Sequence, residues 1–282
     1  MELRASALKV LCLTDPHSKV QALQALWAAP TRQSLSTNAP PSPEVLHVDT
    51  QVLLSTEDVQ IPGRPARPLL CPPQQVPNRS VHTEAGLAAM VHAICHIEFN
   101  AINLALDAIW RYPQLPEAYY LDWFKVAYEE STHFALLHGL LANMGHAYGD
   151  FEAHDGLWAM CEKTADDVLA RMALVPRTLE ARGLDATPLI QAKLQLSTSA
   201  HAQALLPILD IILRDEVGHV AVGNHWFRWL CDQQGLDPLQ HFPALVARHA
   251  APRLKPPFNN EARLRAGFTQ DEIDWLLAQR LG

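Results

Sequence analysis

From Thr83 onward apolar residues recur with a period near 3.6, which predicts amphipathic helices and not strands. A first long helix is expected over about 84–111, ending before Pro113. A second starts near Pro116 and runs to about Met144, with Gly145 as its stop. A third covers about 157–181 and ends at Gly183. Thr187-Pro188 then opens a short helix, because Thr caps well and Pro suits the first helical position. The last long helix spans about 199–234, next to Gly235. Long helices on short or medium loops predict an all-α fold, a four-helix bundle. No internal repeat of about 20–50 residues is visible.

The chain before Thr83 follows a different pattern. A helical stretch from about Ser18 to Ala28 stops at Pro30, and two short β-like pieces follow at 45–48 and 51–54. Eleven of the 21 prolines fall in residues 1–80, and the run Pro62-Gly63-Arg64-Pro65-Ala66-Arg67-Pro68 fits neither a helix interior nor a central strand. Its interspersed apolar residues favour an extended segment docked over a core. At the other end, Pro252, Pro256 and Pro257 precede a final helix from Thr269, opened by the capping box Thr269-x-x-Glu272. The expected organisation is an N-terminal helix with a Pro-rich segment over 1–80, the bundle over 81–235, and a helical tail over 236–282.

Composition narrows the function classes. Of 282 residues 49% are apolar and 18% charged, so the chain can bury a large core and is not disordered. The formal charge is −8, with no Lys/Arg run, which argues against a broad duplex-DNA-binding face. No apolar run approaches 18 residues, and the patch from Ala7 to Leu13 is interrupted by Lys9, so neither a membrane span nor a signal peptide is expected. Five scattered cysteines without a C-x-x-C pair fit reduced thiols in a cytoplasmic protein and exclude a cysteine-based zinc ribbon. A metal site must therefore use His and carboxylates.

The second and fourth long helices each carry the pattern acid–Glu–x–x–His: Glu129-Glu130-Ser131-Thr132-His133 and Asp215-Glu216-Val217-Gly218-His219. The i,i+3 spacing places Glu130 beside His133, and Glu216 beside His219, on one helix face, where both can hold one ion. Asp215 and Glu129 sit one residue off that face, placed to accept the free imidazole N–H of a metal-bound His on a neighbouring helix. About 0.7 E-x-x-H matches are expected by chance at this composition, so the bare motif decides little. A third match, Glu44-Val45-Leu46-His47, lies in the Pro-rich segment and reads as accidental. Its two counterparts lie mid-helix in apolar sequence. The other two long helices supply Glu98, a lone acid among apolar residues, and Glu180. Four buried carboxylates need compensation, and two divalent ions cancel their charge.

The order Glu98, Glu130/His133, Glu180, Glu216/His219 resembles the ferritin-like di-iron carboxylate superfamily. The stretch from His82 to about Phe227, with Lys255-Pro256-Pro257-Phe258-Asn259-Asn260-Glu261-Ala262-Arg263, resembles the bacterial ferritin-like family DUF455. The resemblance implies a ferritin-like bundle, two iron ions (manganese or a mixed Mn/Fe pair being alternatives), and kinship with di-iron hydroxylases. An oxygen-activating oxidoreductase is the expected function, with dioxygen and a small-molecule substrate as partners. Iron storage or peroxide detoxification, and a metal-stapled structural bundle, stay open beside it. The net charge runs against an RNA substrate, although Arg253, Lys255, Arg263 and Arg265 offer a local basic surface. No electron donor is identified, and a homo-oligomer stays open.

Neighbouring polar residues read differently. On a helix His96 lies about 160° and His92 about 120° from Glu98, which directs both elsewhere. His201 is about 22 Å along the helix from Glu216. Tyr128 points away from the ligand face, and Leu137 occupies the position one turn beyond His133. Pro176 and Pro207 fall inside expected helices, and Pro176 is read as a kink, a helix start, or a bend that sets the geometry of Glu180.

Overall fold

The computed structural model describes residues 1–30, 45–56 and 60–278. The fold is all-α, as the 3.6 period predicts, and the described residues contain isolated bridges but no strand. The pieces at 45–48 and 51–54 therefore correct the β-like expectation: they hold only the isolated bridge residues Leu46 and His47, the latter paired with Glu2, and form no strand. Glu44 lies outside the described residues. Two compact units divide the chain, one of residues 1–79 with 88–155 and the other of 80–87 with 156–282.

The first unit opens with α1 (Leu3–Leu11), where the sequence suggested only an apolar patch. Glu2 caps it by accepting from Arg4 N at 2.9 Å and Ala5 N at 2.5 Å. Helix α2 (Pro16–Trp27) carries Asp15 as cap and Pro16 at its first position. The two longest helices here are α3 (Glu84–Arg111) and α4 (Glu117–Asn143), both close to the expected bounds, and Gly145 ends α4 with φ +79°. Residues 84–87 of α3 belong with the second unit. By length and composition α3 is apolar enough to cross a membrane, but 67% of its apolar window is buried inside the protein. It is also lined with buried Glu98, Asn100, Asn103 and Asp107, each of which would need a partner in lipid.

Two buried cations tie the irregular segments to this core. Arg4 donates to the carbonyls of Ile109 and Trp110 at the end of α3, and to those of Asp49 and Val52. Lys19 donates to the carbonyls of Leu11 and Gly63 and to Asn103 Oδ1. A Cβ at position 63 would stand 2.2 Å from the Cys12 carbonyl oxygen, so only glycine permits this approach.

The second unit corrects the expectation for the third long helix. That region contains α5 (Gly156–Lys163), a break, then α6 (Val168–Leu174), a π-helical turn (Val175–Glu180) and α7 (Ala181–Gln195) as one continuous helical run. Gly183 does not stop it, since a glycine ends a helix by adopting positive φ, and Gly183 is absent from the positive-φ residues. Thr187-Pro188 opens no new helix either, because Pro188 sits inside α7. The last long helix is α8 (Ala200–Gln233), with Ser199 as cap and Gly235 at φ +64° just beyond it. The short link 196–199 returns α8 against α7, with which it packs.

The tail holds α9 (Pro238–Arg248), α10 (Asn260–Arg265) and α11 (Gln270–Ala278), of which only α11 was expected. The capping box of α11 forms in both directions: Thr269 N donates to Glu272 Oε2, and Glu272 N donates to Thr269 Oγ1. Ala181, Leu184, Val220, Ala262, Ala266, Phe268 and Ile273 form one buried cluster that joins α7, α8 and the tail.

Candidate metal centre

Within the first unit, α3 and α4 bring together Glu98, Glu130 and His133, all buried. Each offers a ligand atom, and these atoms lie within 4.8 Å of one another, a cluster able to hold a metal ion. The Cys95 thiol beside the Phe134 carbonyl and the Phe99–Phe134 ring contact at 5.6 Å fix the register of the two helices. His133 Nδ1 stands 3.2 Å from Glu130 Oε2 and 3.3 Å from Glu98 Oε2, so one nitrogen faces two carboxylates.

The electrostatics explain why this arrangement suits a cation. Burial, then the charge of Glu130, pushes the Glu98 pKa well above the usual carboxylate range. Burial opposes the His133 imidazolium, but the hydrogen bonds and charges of Glu130 and Glu98 outweigh it and push its pKa up to about 11. In the metal-free site the proton on Glu98 and the imidazolium of His133 balance the charge of Glu130, and both protons must leave before the three groups act as ligands. A divalent ion with a neutral imidazole then balances the two carboxylates. The donors are oxygen and nitrogen, a set that accepts several first-row divalent metals, and the nearby Cys95 thiol is pushed by burial well above its ordinary pKa.

Within the second unit, α8 carries Glu216 and His219, both buried, with His219 Nδ1 3.7 Å from Glu216 Oε1. This repeats the i,i+3 pairing of Glu130 and His133. Glu180, also buried, is the last residue of the π-helical turn. Of the acids next to the motifs, Glu129 pairs with Lys125 at 3.6 Å, and Asp215 receives two hydrogen bonds from the Arg214 guanidinium at 2.8 and 3.0 Å.

The residues directed elsewhere are found elsewhere. His92 Nε2 accepts from Gly149 N at 2.9 Å, and its ring stacks on Tyr148. His96 Nδ1 and the Tyr148 hydroxyl are 2.8 Å apart, while Asn100 Nδ2 donates to His96 Nε2 at 3.0 Å. Burial is the main reason that both imidazoles resist protonation, with pKa values lowered to about 4 and about 3. His201 pairs with Glu84 at 2.9 Å, Tyr128 stacks on Trp27, and His225 packs on Trp226.

Sequence reasoning passed over Arg177, which is buried in the π-helical turn and ringed by Phe227, Phe242 and Phe268. An arginine among otherwise apolar positions one turn before Glu180 was the available signal.

Comparison with known proteins shows a family and stops short of an activity. A protein of Haemophilus influenzae described as uncharacterized is 52% identical over 219 residues, 75% of this chain and 75% of its own. No solved structure matches. The family described as "Protein of unknown function (DUF455)" matches residues 12–274, and the chain belongs to that family.

Proposed function

We propose that the chain is a dinuclear non-haem metal oxidoreductase of ferritin-like architecture that activates dioxygen with a pair of iron ions. In this reading Glu98, Glu130 and His133 hold one ion, and Glu180, Glu216 and His219 hold the other, two carboxylates and one imidazole each. The observation that carries it is the single imidazole nitrogen facing two buried carboxylates, a donor group able to hold a cation. The second E-x-x-H pair, also buried, supplies a matching donor set.

Bound iron would supply the electrons that reduce dioxygen and the oxidising power that attacks an unreactive substrate bond. The chain's own residues have three tasks. Glu98 and His133 must shed their protons on loading, His133 above all, since its nitrogen is protonated in the metal-free site at neutral pH. Phe99 and Phe134, adjoining Glu98 and His133 in sequence, and Leu137, one turn beyond His133, are buried apolar residues that would keep water from the bound ion. Glu129 and Asp215 adjoin the ligands and orient them.

Elemental analysis of protein reconstituted anaerobically with Fe(II), followed by oxygen-uptake measurement on adding air, tests the reading. Two ions per chain with rapid, stoichiometric oxygen consumption support it. A metal content near zero rejects it. Many irons mineralised per chain would make the protein a store, and ions inert to both oxygen and peroxide would make them structural.

A further inference from the structure

The π-helical turn at 175–180 is held from outside by an apparatus that the metal reading leaves unused. Three of its residues are fastened. Pro176 rests on α8 where a side chain is missing: a Cβ on Gly223 would come within 2.6 Å of both Pro176 Cβ and Cγ. Arg177 is buried, donates from Nε to Asn224 Oδ1 at 2.7 Å, and bonds through Nη2 to Glu272 of α11. Its guanidinium centre lies 4.6–5.0 Å from the ring centroids of Phe227, Phe242 and Phe268. Thr178 Oγ1 donates to the Ala173 carbonyl at 2.8 Å, five residues back.

The same apparatus is braced in turn. Asn224 Nδ2 donates to the Ala266 carbonyl, and Arg228 shares Glu272 with Arg177. Asn224 of α8, Glu272 of the tail and three aromatic rings thus converge on one guanidinium, with Arg228 and Ala266 bracing the first two.

A π turn accommodates one extra residue, which rotates every following side chain by about 100° relative to an uninterrupted α-helix. Glu180 is the last residue of this turn, so the turn sets the direction in which its carboxylate leaves the helix. π turns are strained and persist only where the surroundings hold them. Arginine suits this task because its planar fork can engage Asn224 and Glu272 together while its faces stack on rings, which lysine cannot do.

We infer that Arg177, clamped by Asn224 and Glu272 with Gly223 leaving room for Pro176, is the positioning residue that aims Glu180 at the second metal ion. The inference rests on the dinuclear reading above. It assigns the C-terminal tail a role in setting the metal centre, although none of the six proposed ligands lies in the tail.

The test is anaerobic Fe(II) titration of the wild type, Arg177→Gln, Arg177→Lys and Gly223→Ala, with hydrogen exchange of residues 175–181 followed in parallel. Arg177→Gln and Gly223→Ala should keep the first ion and weaken the second about 10- to 100-fold, with faster exchange confined to the turn. Arg177→Lys, which keeps the charge but loses the fork, should fall between. Retention of the first ion reports an intact fold. If all three variants bind both ions as the wild type does, the positioning role is wrong and the dinuclear reading stands. Loss of both ions by folded Arg177→Lys also overturns it, since the effect would not be confined to Glu180. A wild type that binds no iron removes the dinuclear reading and the inference with it.

Discussion

The side-chain amide of Asn259 donates to the Leu184 carbonyl at 3.2 Å, the carbonyl that Pro188, four residues later in α7, has no N–H to serve. Proline inside a helix orphans the acceptor one turn back, and here the tail supplies the missing donor. Asn259 also caps α10 by accepting from Ala262 N, and its backbone N donates to Asp185 Oδ1. Arg263 grips Asp185 with Nε and Nη2 and reaches the Ala181 carbonyl. The segment Phe258–Arg263 therefore seats on α7 just after the π turn.

Asn259→Ala should destabilise the protein by about 2–4 kcal/mol, from one unserved buried carbonyl and one lost cap. Pro188→Ala in that background should recover about 1 kcal/mol, because the backbone N–H that the substitution restores then donates to the Leu184 carbonyl. Pro188→Ala alone should gain less, since the carbonyl already has a donor. A double-mutant cycle by urea unfolding measures the coupling, and additive effects would show that the two residues do not share this acceptor.

Glu130→Ala and Glu216→Ala should each abolish dinuclear binding, and Glu44→Ala should leave it intact, since Glu44 belongs to the E-x-x-H match in the Pro-rich segment. Asp215→Asn should weaken metal affinity about 10- to 100-fold without abolishing it, as expected for a group that orients a ligand. Metal content measured side by side on the four variants checks this. Equal loss in Glu44→Ala would show that the wrong motif had been singled out.

Metal loading should release protons at neutral pH. The metal-free His133 is protonated far above pH 7, and burial with the charge of Glu130 raises the Glu98 pKa, so a cation displaces at least the His133 proton. Calorimetric titration with Fe(II) at pH 7 in buffers of different ionisation enthalpy counts them. The expected release is about one proton or more per chain, and zero would mean that His133 is already neutral.

What the sequence disclosed follows from periodicity. Glu130/His133 and Glu216/His219 were legible because a three-residue spacing on a helix puts both groups on one face, and α3, α4 and α8 each show an apolar pattern with clear stops. The π turn was not legible for the opposite reason. Residues 169–178 are buried on every side, so no apolar stripe exists whose phase could slip by one residue. Gly183 and Pro188 misled because their local preferences, for ending one helix and opening the next, are overridden by tertiary partners: α8 packs along α7, and Asn259 serves the carbonyl that Pro188 leaves open.

Two buried groups of the first unit should pull the pH dependence of the metal-free protein in opposite directions. Burial lowers the Lys19 pKa from 10.5 to about 7, so its contribution to stability is complete above pH 10.5 and is lost as pH falls through about 7. His133 runs the other way. Burial would lower its pKa, but Glu130 and Glu98 raise it from 6.5 to about 11, so its contribution is complete below pH 6.5 and is lost as pH rises through about 11. Between pH 7 and 9, below the point where the buried Cys95, Cys12 and Cys231 thiols add falling components of their own, the two slopes oppose, and the melting temperature of the metal-free wild type should change little. Lys19→Met removes the rising component, so its melting temperature should be lower throughout and should fall further as pH increases. Metal loading removes the falling component, because the bound ion keeps His133 deprotonated, and the loaded wild type should gain stability over the same interval. Melting curves at several pH values for the three samples decide the matter. A Lys19→Met profile parallel to the wild type would mean that its three acceptors, the Leu11 and Gly63 carbonyls and Asn103 Oδ1, hold the ammonium charged at its ordinary pKa.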